Sequence, residues 1–365
     1  MLFVVCFCVI VVILGALASM GVLKRGLELA FGIIIIVSAI RYNWGADYMN
    51  YYRGFDDIAR IPNLRFLFNL FDGPFDRHEG TEIGWVLLNW VFRPFGFKGL
   101  IVFTSVFTNI VYYSFIKQYV PRKWYWLALF TYMFDTNLFF VPLSMMRQSL
   151  AMVFFVLSFK YIAEKKLLPS VLLVLVAALF HKSALVLLPF VFIGFLPKTK
   201  GKLIAVVYLV AFVVLMITKD LTTNIVMSAL SLSAFESFGD YFLKMEAADA
   251  FGLGYLSRVM TLFVPFLFYY PDANQDFKKR LTVLVACVSF LIAPFTLIMG
   301  FLGRIDYYFG IYNIVAIPLL YNWIKKRYLK IGLLVVYIAY TLYSYNQFFK
   351  IPDWVTFTHY QTIFG

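Results

Sequence analysis

Apolar runs recur along the chain near residues 1–23, 27–40, 99–116, 124–141, 147–163, 167–180, 184–196, 203–218, 255–270, 281–298, 307–324 and 331–348, separated by short polar or basic connections. Most approach the roughly 20 residues that a helix needs to cross a bilayer, so the pattern predicts an all-α polytopic membrane protein with about twelve transmembrane helices. All of residues 1–365 then form one transmembrane domain. The run at 83–95 is shorter and ends at Arg93-Pro94. It predicts an interfacial or re-entrant helix, because counting it as a full crossing reverses the side on which the next basic connection falls.

Composition agrees. The chain is 62% hydrophobic and only 14% charged, with mean hydropathy +0.83, which leaves no room for a soluble domain of ordinary size. The apolar stretch 1–23 carries no positive charge before Lys24 and is expected to be a retained first span rather than a signal peptide. Cys6, Cys8 and Cys287 all fall inside apolar runs, which suits neither a disulfide framework nor a metal site. The net charge of +13 does not point to nucleic acid, because the lysines cluster between apolar runs.

Those clusters set the expected orientation. Lys24-Arg25, Lys117 with Arg122-Lys123, Lys160 with Lys165-Lys166, Lys198/Lys200/Lys202, Lys278-Lys279-Arg280 and Lys325-Lys326-Arg327 with Lys330 occupy alternate connections and hold more than half of the 32 basic residues. The positive-inside rule places them in the cytoplasm and both termini outside. The remaining connections then face outward, including 41–98, which contains the interfacial helix, and 219–254, a candidate lid. Within 41–82 there are five Arg and no Lys, a bias expected of a planar site that grips anions in forked pairs.

The segments 144–163 and 167–183 join at the charged turn Ala163-Glu164-Lys165-Lys166 and must lie side by side, antiparallel. At about 1.5 Å per residue, Arg147 lies roughly 27 Å from Lys165 along one helix and His181 roughly 24 Å along the other. Both reach the same side at similar depth, which suggests an outward cavity. Arg41, Asp47, Glu82, Arg258 and Arg304 also fall at outer helix ends, where an Arg would equally extend to lipid headgroups. His181 could serve as proton acceptor or orienting group. Tyr48, Tyr51 and Tyr52 near Asp47 could stack on sugars, although an aromatic belt uses the same residue types, and Arg304 could instead form a local ion pair with Asp306. Asp56-Asp57 is a weak divalent-metal signal, and no metal site is expected.

In order and spacing, Arg41 with Gly45, Asp47 and Tyr51, then Glu82-x-Gly84-Trp85, Arg147-Gln148 with Ala151, Phe180-His181-x-Ser183, Arg258, and Arg304 with Tyr308 resemble the Wzy-type polysaccharide polymerases of O-antigen and exopolysaccharide clusters, in particular the EpsG-like branch. The resemblance implies a GT-C-like fold and a glycosyltransferase that uses neither metal nor other cofactor. It would work in the bacterial cytoplasmic membrane with its active site facing outward, moving a growing glycan from undecaprenyl pyrophosphate to the next lipid-linked repeat unit. Arg147, His181, Asp47 and Glu82 would be catalytic, with Arg41, Arg258, Arg304, Tyr51 and Tyr308 binding pyrophosphate or sugar. Membrane lipid and the pathway's chain-length regulator and flippase would be partners, and nucleic acid would not. An O-antigen-type ligase, a metal-dependent lipid-linked sugar transferase and a lipid-linked oligosaccharide flippase are the competing readings.

Overall fold

A computed structural model of the protein describes residues 1–60, 82–196, 201–218, 259–271, 276–296 and 302–364, with a few single positions between 220 and 228. Arg258 and most of the 219–254 connection lie outside the described residues, as do His78 and the stretch 61–81. The described part is helical apart from one two-residue antiparallel pair, β1 (Arg41–Tyr42) with β2 (Gln361–Thr362).

In chain order the helices are α1 (Leu2–Ser19), α2 (Gly26–Ala39), α3 (Tyr48–Ala59), α4 (Ile83–Phe92), α5 (Gly96–Tyr119), α6 (Tyr125–Phe134), α7 (Phe140–Ser144), α8 (Met146–Ala163), α9 (Leu167–Phe180), α10 (Gly201–Ile217), α11 (Val264–Tyr269), α12 (Phe277–Thr296), α13 (Leu302–Gly310), α14 (Asn313–Trp323) and α15 (Arg327–Phe348). Three stretches are long and apolar enough to cross a membrane: α1, the bent run 83–119 through α4 and α5, and α15. Five shorter apolar helical stretches accompany them. The protein is therefore a helical membrane protein.

The hydropathy pattern overran several helix breaks. The run 124–141 ends as a helix at Phe134, because the Asp135 carboxylate accepts the backbone N–H of Asn137 at 3.2 Å and closes an Asx turn. The run 307–324 is split by a turn at 311–312 between α13 and α14. The run at 184–196 belongs to a 3-10 helix, Lys182–Phe195, with Pro189 inside it. Fourteen residues as an α-helix cover about 21 Å, whereas the tighter winding at about 2.0 Å per residue stretches them to about 28 Å, close to the thickness of a hydrocarbon core. A segment too short to span as an α-helix thus nearly spans as a 3-10 helix.

Polar ties gather the helix ends at two opposite faces of the bundle. At one face Lys117 meets Glu28 at 2.8 Å, the Arg122 Nε–H donates to the Ala18 carbonyl at 2.9 Å, and Trp124 Nε1–H donates to Asn322 at 3.1 Å. There too Glu164 takes salt bridges from Lys278 and Lys166, each at 3.0 Å, and these hold its carboxyl down at about 2. All these ties involve the basic connections.

At the other face the segment after α15 folds back as a 3-10 turn, Pro352–Thr358, and as β2. It is anchored on Trp44, which is fully buried, donates from Nε1 to the Phe357 carbonyl at 2.9 Å, and meets Phe139, Phe140, Phe357 and Tyr360 edge-on. The N-terminal amine donates to the Thr358 carbonyl at this same face.

Removing the Trp44 indole would leave a cavity among four rings and orphan the Phe357 carbonyl. Trp44→Ala is expected to cost about 3–5 kcal/mol and to expose residues 352–364 to limited proteolysis. Thermal unfolding and protease mapping of the purified protein check both, and an unchanged melting temperature would refute the anchoring role.

Candidate active site

Four pieces of chain distant in sequence meet at the Trp44 face. The first is the turn 43–47 leading into α3. Gly45 sits at φ +126, in the left-handed region open to glycine, and a Cβ there would lie 2.8 Å from Ser144 Oγ. That closeness lets the Ala46 N–H donate to Ser144 Oγ at 2.9 Å, pinning the start of α3 beside the start of α8. Along α3, Tyr48, Tyr51, Phe55 and Ile58 repeat at helical spacing and turn inward, while Asp56 and Asp57 lie on the exposed face. This amphipathic helix was legible in that repeat, yet the stretch reads as loop when only long apolar runs are sought.

The second piece is the start of α4. A Cβ on Gly84 would stand 2.6 Å from the Leu179 carbonyl oxygen, so only glycine allows α4 to lie against the last turn of α9 at this distance. The consequence is positional: Glu82, just ahead of α4, is delivered to the end of α9.

The third and fourth pieces are the hairpin ends. Glu82 Oε2 accepts from Arg147 Nη1 at 2.6 Å, and Oε1 sits 3.0 Å from His181 Nδ1 and accepts the Lys182 backbone N–H at 3.2 Å. One carboxylate, 6% exposed, therefore holds the first turn of α8 and the exit of α9 together. It also caps the N-terminus of the 3-10 helix, where a negative charge is favoured. Burial pushes the Glu82 carboxyl up, but the hydrogen bond to His181 and the charge of Arg147 outweigh it and leave it below its ordinary value. An ionised carboxylate only accepts, so the His181 proton must sit on Nδ1, leaving Nε2 with a free lone pair. His181 is 12% exposed and Arg147 30%, so both can be reached from outside while Glu82 is shielded.

Two tyrosines frame the trio. The Tyr51 hydroxyl is hydrogen-bonded to Arg147, and its ring meets Trp85 at 5.1 Å. Burial pushes its phenol up, so it keeps its proton. The Tyr308 and Ser183 hydroxyls are 3.0 Å apart, tying α13 to the turn after His181. Gln148 donates to the Arg304 carbonyl, so the backbone of α13 abuts the residue next to Arg147. Asp47 lies one turn before Tyr51, its carbonyl accepting the Tyr51 N–H at 3.0 Å and its carboxylate receiving Asn50 at 3.4 Å.

Of the residues expected to form a site, the structure joins Glu82, Arg147, His181 and Tyr51 by direct contacts, with Asp47, Arg304 and Tyr308 around them. It does not bring Arg41 to them. That side chain is 2% exposed and is drawn into the bundle, donating from Nη1 to the Ser38 carbonyl at 2.6 Å and to Ser105 Oγ at 2.9 Å. Sequence reasoning named Gln148 only as the neighbour of Arg147 in a motif and gave Ser144 no role; their polar side chains at the apolar entrance of α8 were the available signal. Among the described residues no cluster of three or more His, Cys, Asp or Glu is placed to hold a metal ion.

Because the folded Glu82 titrates below its unfolded value of about 4.3, it contributes stability that is complete above that value. That contribution is lost as pH falls through the lower, folded value. Glu82→Gln is expected to cost about 2 kcal/mol near neutral pH and to flatten the acid limb of the melting-temperature profile. A variant as stable as the wild type at neutral pH would show that the carboxylate does not hold the two helices.

No curated protein and no solved structure matches the chain. The EpsG family model matches residues 24–362. With nearly the whole chain covered, from the entry to α2 through β2, this helical membrane protein belongs to the EpsG family.

Proposed function

We propose that the protein is a polysaccharide repeat-unit polymerase that transfers a growing glycan from undecaprenyl pyrophosphate to the next lipid-linked repeat unit at the outer face of the cytoplasmic membrane. Membership of the EpsG family supports the polymerase class. The observation that carries the mechanism is the Glu82 carboxylate shared by Arg147 and His181.

The division of labour follows from the contacts. His181, with its Nδ1 proton held by Glu82, presents Nε2 to the acceptor sugar hydroxyl and takes its proton as the new bond forms from that oxygen to the anomeric carbon. The bond from the anomeric carbon to the pyrophosphate oxygen breaks, and negative charge grows on the departing diphosphate. Arg147 is the group that meets that charge: its guanidinium is held by Glu82 and Tyr51, and its partial exposure lets phosphate oxygens reach it. Arg304, whose backbone lies beside Gln148, is the second candidate cation for the pyrophosphate, and Arg258 a third. Glu82 is a positioning residue in this scheme. Its lowered pKa and its salt bridge to Arg147 make it a poor base, which leaves His181 ahead of Glu82 and Asp47 for that role. Tyr51, half-buried beside Arg147, lines the approach for sugars, whereas Tyr308, expected from the sequence to bind substrate, is wholly buried and braces Ser183 instead.

Orientation follows from charge. The face opposite the cluster carries the Lys- and Arg-rich connections, which the positive-inside rule assigns to the cytoplasm, so the cluster opens outward where lipid-linked repeat units are polymerised. The chain-length regulator and flippase of the same pathway are the expected partners.

Arg147→Ala is expected to lower the transfer rate about 10²–10³-fold and His181→Gln about 10²–10⁴-fold. Glycan from cells carrying either variant should collapse from long chains to single repeat units on gel electrophoresis, with activity in purified membranes insensitive to chelator. Undiminished long chains from Arg147→Ala would remove the assignment. Accumulation of long lipid-linked chains in cells lacking the protein would mark a ligase instead, and accumulation of repeat units on the inner leaflet a flippase.

A further inference from the structure

Arg41 poses a separate problem. Its guanidinium is buried inside the bundle, forms no ion pair among the described residues, and has an Nε–H with no hydrogen-bond partner there. Burial alone drags it down to about 10, so it remains charged at neutral pH. An uncompensated buried cation costs several kcal/mol, and proteins seldom keep one without an anion nearby.

The surroundings supply donors instead of acids. Arg41 lines a cavity of about 30 Å³ with Ser105, Thr108, Asn109, Tyr112 and Ser149, and no carboxylate takes part in its lining. The Tyr112 hydroxyl, wholly buried, is also without a hydrogen-bond partner among the described residues. Ser149 belongs to the first turn of α8, a helix with no acidic residue in that turn, so its N-terminal dipole adds positive potential to the same space. Two unpartnered donors, one of them on a fixed cation, and a helix N-terminus thus surround one small cavity. A site of about 10–15 Å³ holds one water-sized sphere, so this cavity has room for roughly two or three. That suits a monatomic anion and excludes a sugar or a lipid pyrophosphate.

We infer that the cavity beside Arg41 is a binding site for a small inorganic anion of chloride size, held by the Arg41 guanidinium and the Tyr112 hydroxyl. The anion neutralises a charge that would otherwise be buried alone. It sits behind the first turn of α8, on the side away from Glu82, and helps to seat the helix that carries Arg147. This site is independent of the transfer reaction: it would exist whatever the cluster at Glu82 does.

The test uses the full-length protein in detergent, unfolded by heat in sodium chloride, sodium bromide or sodium gluconate at equal ionic strength. Chloride and bromide should raise the melting temperature saturably, while gluconate, too large for the cavity, should not. Tyr112→Phe, which keeps the ring and removes only the hydroxyl, should shift the half-saturating chloride concentration upward about tenfold. In crystals grown with bromide, anomalous density should lie within hydrogen-bond distance of Arg41 Nε. Coincident melting curves in chloride and gluconate would overturn the inference, as would Tyr112→Phe saturating with the wild type or bromide density elsewhere.

Discussion

A single carboxylate decides where the ends of three helices sit at one face of the bundle. Glu82 takes a guanidinium on one oxygen and an imidazole with a backbone N–H on the other, and each of those donors stands at the end of a different helical segment. Without it, the Arg147 guanidinium would lose its counterion, and the bonds that hold the first turn of α8 to the exit of α9 would be gone. The hairpin is closed at its far end by the Glu164 salt bridges, so its two ends are fastened by the same device in different settings. At Glu164 the pairs are solvated and weak. At Glu82 the carboxylate is shielded, and losing either partner leaves a charge where water cannot easily reach it.

The backbone makes that contact available. Gly84 permits helix-to-helix contact that any side chain would prevent, and Gly45 permits the turn that seats α3 on Ser144. Trp44 and the segment after α15 then close the face from the other side. Arg147 and His181 are thus the partly exposed members of the cluster, while Glu82 and Trp85 behind them are buried. Such a division suits catalysis by preorganised charge, in which the donors must already point at the place where negative charge will grow.

Much of this was readable in the chain. Apolar runs announced a helical membrane protein, and the charged turn at 163–166 with helical rise placed Arg147 and His181 level with one another. Tyr48, Tyr51, Phe55 and Ile58 could have announced α3, but a search for long apolar runs is blind to a helix that is half polar. Helix breaks at Asp135 and at 311–312, and the 3-10 winding of Lys182–Phe195, escaped for a related reason: hydropathy averages over a window and does not register where a side chain steals a backbone hydrogen bond.

Local composition was enough to establish the solvent this chain lives in and which helix ends share a face, because both follow from apolar length and rise per residue. It could not say which of several outer arginines face the same space. Arg41 and Arg147 look alike as letters at helix ends, yet one turns inward to Ser38 and Ser105 and the other pairs with Glu82 at the opening. That choice depends on what neighbouring helices offer within about 3 Å, and the deciding partners, Ser105 for Arg41 and Glu82 for Arg147, are 64 and 65 residues away along the chain.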